Sequence, residues 1–150
     1  MRSVASLRYN RGMHTTDASP SVPHFAAAGS FLEALAAQDF ERLAAALDDD
    51  ASLSALLPRG FCEWRGAAEI AAMFEKWFGD VDEFEVADAA VGQVGSRLQL
   101  RWRMRVRGGP RFGDDAMVVE QHVYADTAPT GRIRSMSLLC SGFCKEHLDG

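Results

Sequence analysis

The chain has 150 residues, 47% of them hydrophobic and 25% charged, with a formal net charge of −5. That is enough apolar material for one globular domain that buries roughly two-thirds of its unfolded surface. An acidic balance argues against a nucleic-acid partner, and no run of about 18 apolar residues is present to span a membrane as a helix.

Residues 1–23 contain Ser, Thr, Asn, Gly and two prolines without periodicity. They read as a flexible leader ahead of one domain over 24–150. Met13, followed by His-Thr-Thr-Asp, offers a second start, which would make residues 1–12 an over-extended gene reading. No apolar core of about 7–15 residues follows Arg2, so a secretory signal is not expected. Three cysteines, Cys62, Cys140 and Cys144, suit free thiols in a reducing compartment better than a disulfide framework. The expected location is the cytoplasm.

A first helix is expected from His24 or Phe25 to Gln38, with Phe31, Leu32 and Leu35 on its apolar face and Gly29-Ser30 as a weak spot. Asp39 is placed to cap a second helix, in which Phe40, Leu43, Ala44 and Leu47 recur at helical spacing. Asp48-Asp49-Asp50 then reads as a charged turn, because acids oppose the dipole at a helix C-terminus. A short strand over 51–57 stops at Pro58-Arg59-Gly60, and residues 61–64 resume as an extended segment. The third helix, 67–78, carries Ile70, Met73, Phe74, Trp77 and Phe78 as a stripe and closes at Gly79. Strands are expected over 83–94, 97–106, 116–125 and 132–143, the first two joined by a tight Gly95-Ser96 hairpin.

The most regular of these is the stretch from Arg97 to Arg107. Leu98, Leu100, Trp102, Met104 and Val106 alternate with Arg97, Gln99, Arg101, Arg103, Arg105 and Arg107. Period-two alternation of this length means a half-buried strand, because successive side chains leave a strand on opposite sides. The arginine stripe reads as a solvated or salt-bridged sheet face. The layout is α+β: a sheet that buries one face under three N-terminal helices.

That order of elements resembles the nuclear-transport-factor-two-like superfamily, which includes SnoaL-like polyketide cyclases and ketosteroid isomerases. The resemblance rests on Phe31-Leu-x-Ala-Leu-x3-Asp-Phe-Glu-x-Leu43, Trp64-Arg-Gly-x3-Ile70 and Asp126-x4-Gly131-Arg-Ile133, and covers about residues 25–144. It implies a cone: a strongly curved antiparallel sheet wrapped around the three N-terminal helices, with a deep apolar cavity at the open end. It also implies dimerisation through the outer sheet face, where arginines could meet acids such as Glu85 or Glu120. The superfamily holds isomerases, dehydratases, cyclases, epoxide hydrolases and non-catalytic binders, so the fold leaves function open. The isomerase constellation of a tyrosine with two aspartates is not reproduced. The only tyrosines are Tyr9, in the leader, and Tyr124.

Glu120 and His122 in Met117–Tyr124 are the candidate catalytic pair. Two residues apart on a strand, they share a face about 6–7 Å apart. In an apolar cavity a carboxylate and an imidazole can divide acid and base roles, as proton abstraction or assisted dehydration requires. On the outer face, Glu120 would instead pair with Arg101 or Arg103. The companion set Met117, Val119, Gln121 and Val123 is the more apolar, which favours it as the inward one. Trp64, Trp102, Phe31, Phe74, Trp77 and Met104 are candidate ligand-lining residues, suited to a flat hydrophobic molecule or simply to a core. Cys140, Cys144 and His147, with Cys62, suggest a metal site only weakly, because paired zinc-type spacing is missing. No cofactor is expected.

Two functions follow. One is a cofactor-independent isomerase, cyclase or dehydratase acting on a hydrophobic small molecule through Glu120 and His122. The other is a non-catalytic ligand-binding or dimerisation module. A subunit docking a partner through Arg101, Arg103 and Arg105 is a third reading.

Overall fold

A computed structural model of the chain describes residues 21–146. Residues 1–20 of the expected leader, with Met13 and Tyr9, lie outside the described residues, as does His147. The first helix, α1 (Ser21–Ala36), starts a turn earlier than its sequence pattern suggests and passes through Gly29-Ser30 unbroken. Its buried residues Ala27, Ala28, Phe31, Ala34 and Leu35 recur every three or four positions, so one stripe faces inward.

The chain reverses at Gln38, a non-glycine residue with φ 55°. The Gln38 side-chain amide donates to the Phe78 carbonyl at 2.8 Å, which ties the reversal to the end of the third helix. Asp39 caps α2 (Phe40–Ala45) as expected, accepting from the Arg42 backbone N–H at 3.1 Å. The charged-turn expectation fails just beyond. β1 runs over Leu47–Leu57 and takes Asp48, Asp49 and Asp50 into an extended strand. Leu47 sits opposite Ile133, and an irregularity before Ser52 absorbs the acidic stretch at the surface.

β2 (Gly60–Arg65) returns antiparallel to β1, and α3 (Ala67–Phe78) follows. The remaining strands are β3 (Glu83–Val94), β4 (Arg97–Arg107), β5 (Ala116–Thr127), β6 (Ile133–Cys140) and the short β7 (Cys144–Lys145). A four-residue helix, α4 (Gly109–Phe112), interrupts the β4–β5 connection. The sheet order is β2-β1-β6-β5-β4-β3, with β7 pairing β5. The sheet is therefore mixed rather than antiparallel throughout, because β1 and β6 run parallel. The α+β layout expected from the sequence otherwise stands, as a curved, open sheet around the helices.

The helices cover the inner face. Phe31 and Phe74 lie 5.5 Å apart edge to face, and each contacts Trp102 of β4. All three are fully buried, as is Met104. Phe31→Ala is expected to cost about 3–5 kcal/mol through lost burial and an unfilled cavity. Asp39→Ala is expected to cost only about 1 kcal/mol through the lost cap. Denaturant unfolding midpoints check both, and a Phe31→Ala cost no larger than that of Asp39→Ala would contradict this account of the core.

Candidate functional site

Strand phase decides where the chemistry-bearing residues go. Leu98, Leu100, Trp102, Met104 and Val106 are all fully buried, so alternation sends the β4 arginines outward. Register then fixes β5: Trp102 lies opposite Gln121, Arg103 opposite Glu120 and Arg101 opposite His122. Val119, Gln121, Val123 and Ala125 are buried, and Glu120, His122 and Tyr124 emerge on the outside.

The Glu120–His122 pair does form. His122 Nε2 and Glu120 Oε2 lie 2.6 Å apart, and the side chains are 46% and 24% exposed. Arg103 grips the same carboxylate, with Nε and Nη2 at 2.8 and 2.6 Å from Oε1. The pair thus stands on the outer face of the sheet and not in an apolar interior. Partial burial pushes the Glu120 carboxyl up, but hydrogen bonds from His122 and Arg103 outweigh that and hold it below the usual carboxylate range. Asp126 is lowered in the same way: burial raises it, and Arg97 and Ser135 more than compensate.

The other outward arginines are engaged too. Arg97 holds Asp126, Arg101 holds Asp88, Arg105 holds Glu85 and Glu146, and Arg107 holds Glu83. Arg101, Arg103 and Arg105 therefore already have acidic partners within the chain, which weakens them as contacts for another protein.

Inside, the predicted aromatic residues form one network. Trp64 and Trp77 meet edge to face at 6.0 Å, Trp77 meets Phe74 at 5.0 Å, and Phe74 leads to Phe31 and Trp102. Trp64 and Trp77 are half-buried, at the edge of this cluster. Gln121 is the residue that sequence reasoning passed over. At 1% exposure it is the only buried polar side chain among the described residues. Its Oε1 accepts from Trp102 Nε1 at 2.8 Å. An indole can only donate, so this bond fixes the amide orientation and points the NH2 group away from Trp102. That group meets the Cys140 sulfur at 3.3 Å. Its position opposite Trp102 on the apolar face of β5 was the available signal.

The cysteines do not converge. Cys140 lies opposite Gln121, whereas Cys144 lies opposite Val118 on the outer side. Three residues of strand, about 10 Å, separate those positions. That exceeds the Cα span of roughly 7 Å that a disulfide tolerates. Among the described residues no group of three or more His, Cys, Asp or Glu side chains is gathered for a metal.

Two grooves lie beside the helices. One, of about 490 Å³, runs between α1, α2 and the β5–β6 turn; the other, of about 670 Å³, runs between α2 and α3. Neither is lined by a tryptophan or by the buried glutamine.

A half-open sheet wrapped around helices, with titratable groups outside and one amide inside, places the chain in a recognisable class of α+β cones. Residues 28–138 match the SnoaL-like domain model, and the chain belongs to that family. Solved structures share the fold. An LEH-like epoxide hydrolase of M. tuberculosis is 22% identical, with a TM-score of 0.59, over 79% of this chain and 83% of that one. A phenazine biosynthesis-related protein of Pseudomonas aeruginosa is 10% identical, with a TM-score of 0.67, over 87% and 83%. A nuclear-transport-factor-two-like protein of Burkholderia xenovorans is 15% identical, with a TM-score of 0.61, over 79% and 89%. A search of curated proteins finds no match. None of the described helices is long and apolar enough to cross a membrane.

The lowered Glu120 carboxyl carries a pH prediction. Its contribution to stability is present above the unfolded-state value of about 4.3 and is lost as pH falls through the lower folded-state value. Glu120→Gln is expected to lower stability by about 1 kcal/mol or less at pH 7. In unfolding series run from pH 7 to pH 2.5, the gap between wild type and variant should close on the acid side. A gap that stays constant would mean that the carboxylate's charge contributes nothing.

Proposed function

We propose that the protein binds a small, largely hydrophobic molecule within the sheet, with Gln121 as its polar anchor and without acid–base chemistry by Glu120 and His122. The observation that carries this reading is the Gln121 amide. It is buried among apolar groups, and sulfur, a weak acceptor, is the only partner of its NH2 group among the described residues. A buried donor left so poorly paired costs about 1–3 kcal/mol, and a carbonyl or ether oxygen on a ligand would remove that cost. Trp64 and Trp77 at the edge, with Trp102, Phe31, Phe74 and Met104 deeper in, supply the apolar and aromatic walls. An isomerase, cyclase or dehydratase acting at this place would need a titratable group beside Gln121. The one such group there is the half-buried Cys140 thiol, 3.3 Å from the amide nitrogen, and no carboxylate or imidazole is among the buried residues described, which favours binding over turnover. A cytoplasmic setting belongs to the same proposal and is supported by the free thiols Cys62, Cys140 and Cys144.

The three tryptophans report on the site directly. Titration with 2-acetylnaphthalene should quench their fluorescence at concentrations about five- to tenfold lower than naphthalene requires, the difference expected of one hydrogen bond. Gln121→Leu should erase that preference and leave naphthalene binding in place. Absence of quenching by both probes, or an undiminished preference in the variant, defeats the proposal.

We also propose that the protein forms a homodimer through the outer sheet face, with a second copy as the occupant. All five large hydrophobic side chains that are exposed among the described residues, Leu56, Phe61, Val94, Tyr124 and Leu139, project from this face. Phe61, Leu56 and Leu139 form one cross-strand row, continued by His122. Ser52, Ser54, Ser135 and Ser137 beside them leave room for close approach. The charges on the same face are balanced within the chain, so it asks for a near-neutral mosaic like itself and not for a strongly charged partner. Six strands about 4.8 Å apart present on the order of 700 Å², close to one side of a standard interface. Sedimentation at physiological salt should give a dimer, and Leu56→Asp with Leu139→Asp should give a folded monomer. A monomeric wild type removes the proposal.

A further inference from the structure

We propose that residues 108–113 form a strap across the way into the aromatic interior and that Arg111 is its latch. The inference rests on the reading that a ligand is bound inside the sheet. Ring contacts lead inward from the strap without a break. Phe112 meets Phe143 at 5.0 Å, Phe143 meets Phe78 at 6.1 Å, Phe78 meets Phe74 at 6.5 Å, and Phe74 meets Trp102 at 6.3 Å. Trp102 then bonds Gln121. A molecule reaching the Gln121 amide along this path must first part the outermost rings, the half-buried Phe112 and Phe143, and then pass the fully buried Phe78 and Phe74.

Arg111 fastens those two rings to the rest of the fold. Its guanidinium carbon lies 4.7 Å from the Phe112 ring centre and 5.2 Å from that of Phe143. Its Nη2 donates to the Trp77 carbonyl at 2.6 Å and to Asp80 at 3.0 Å. One side chain therefore joins the strap, the C-terminal segment and the end of α3, where a cation is also favoured by the helix dipole. Its side chain is 35% exposed, so these bonds can exchange with water when the strap lifts.

The two ends of the strap differ. Gly108 and Gly109, with φ values of 87° and 82°, are seated so closely that a Cβ would collide with the Asp82 side chain or the Asp80 carbonyl oxygen, which makes the closed position specific. Gly113, at 59°, has open space around it, and glycine crosses such a region without steric strain, so the strap can hinge at this end.

The test pairs Arg111→Gln with Arg111→Lys, which keeps the charge but not the fork, and with Asp80→Asn, which leaves the ring stacking intact. Amide hydrogen exchange over 108–113 should quicken about tenfold in Arg111→Gln and less in the other two. Stopped-flow tryptophan quenching by 2-acetylnaphthalene should show association and dissociation both faster by a similar factor, with Kd within about twofold of wild type. Unchanged exchange in folded Arg111→Gln overturns the latch, and so does a Kd change carried by dissociation alone, which would mark Arg111 as a ligand contact. If the probe fails to bind wild type while exchange still quickens, the latch stands and the binding reading falls. Should Arg111→Gln not fold, the exchange rates of Arg111→Lys and Asp80→Asn decide the matter in the same way.

Discussion

Everything on the two faces of this sheet depends on the alternation of β4. Once five apolar side chains between Leu98 and Val106 are committed to the core, six polar ones have no choice but to face out. A slip of one residue would bury arginines, at a cost no local interaction could offset. The neighbours inherit this phase. Antiparallel pairing with β5 turns Glu120 and His122 outward and Gln121 inward, and pairing with β3 lines up Glu83 and Glu85 with Arg107 and Arg105. The outer mosaic of ion pairs and the inner Trp102–Gln121 bond are two consequences of a single register.

The mosaic is more than decoration of a solvated surface, though each pair contributes little alone. Arginines on β4 lie between acids on both adjacent strands, and Arg105 bonds Glu85 on one side and Glu146 on the other. Two acceptors raise its already high affinity for the proton, with the Glu146 bond as the larger cause. Such bridging penalises alternative registers of three strands together and brings the C-terminal segment onto the sheet. Specificity of pairing is a larger effect here than net stabilisation. Because the charges are matched inside the chain, the face keeps its exposed Phe61, Leu56 and Leu139 as its least satisfied groups.

Local signals in the sequence marked most elements and the motif order of the family. The third helix, the Asp39 cap and the Gly95-Ser96 hairpin depend on neighbours a few residues away, and each formed where those neighbours indicated. Features settled by distant contacts were not legible. Asp48–Asp50 look like a turn until the pairing of Leu47 with Ile133 and of Ser52 with Ser135, more than 80 residues on, carries them along as the irregular stretch of a strand. The phase of β5 was open because both its faces carry apolar residues, and only pairing with β4 resolves it. The helix at Gly109–Phe112 was hidden by its glycines, whose positive φ values serve contacts with Asp80 and Asp82 that no local pattern announces.

What remains is an asymmetry between the two sides of one strand. The groups of β5 that can exchange protons sit outside, where Arg103 holds Glu120 ionised and water reaches His122. The group inside is a carboxamide, which carries no exchangeable charge and is held in one orientation by an indole that can only donate. Proton transfer to a buried substrate needs a titratable atom within hydrogen-bond reach, and a neutral amide can offer only direction. A carboxylate at position 121 could not accept this role unchanged. Ionised in that apolar setting it would carry a large desolvation penalty, and protonated it would present one donor in place of two. At that inward position Gln supplies a fixed pair of donors in place of a charge, while the titratable side chains of the same strand stay on the outer face.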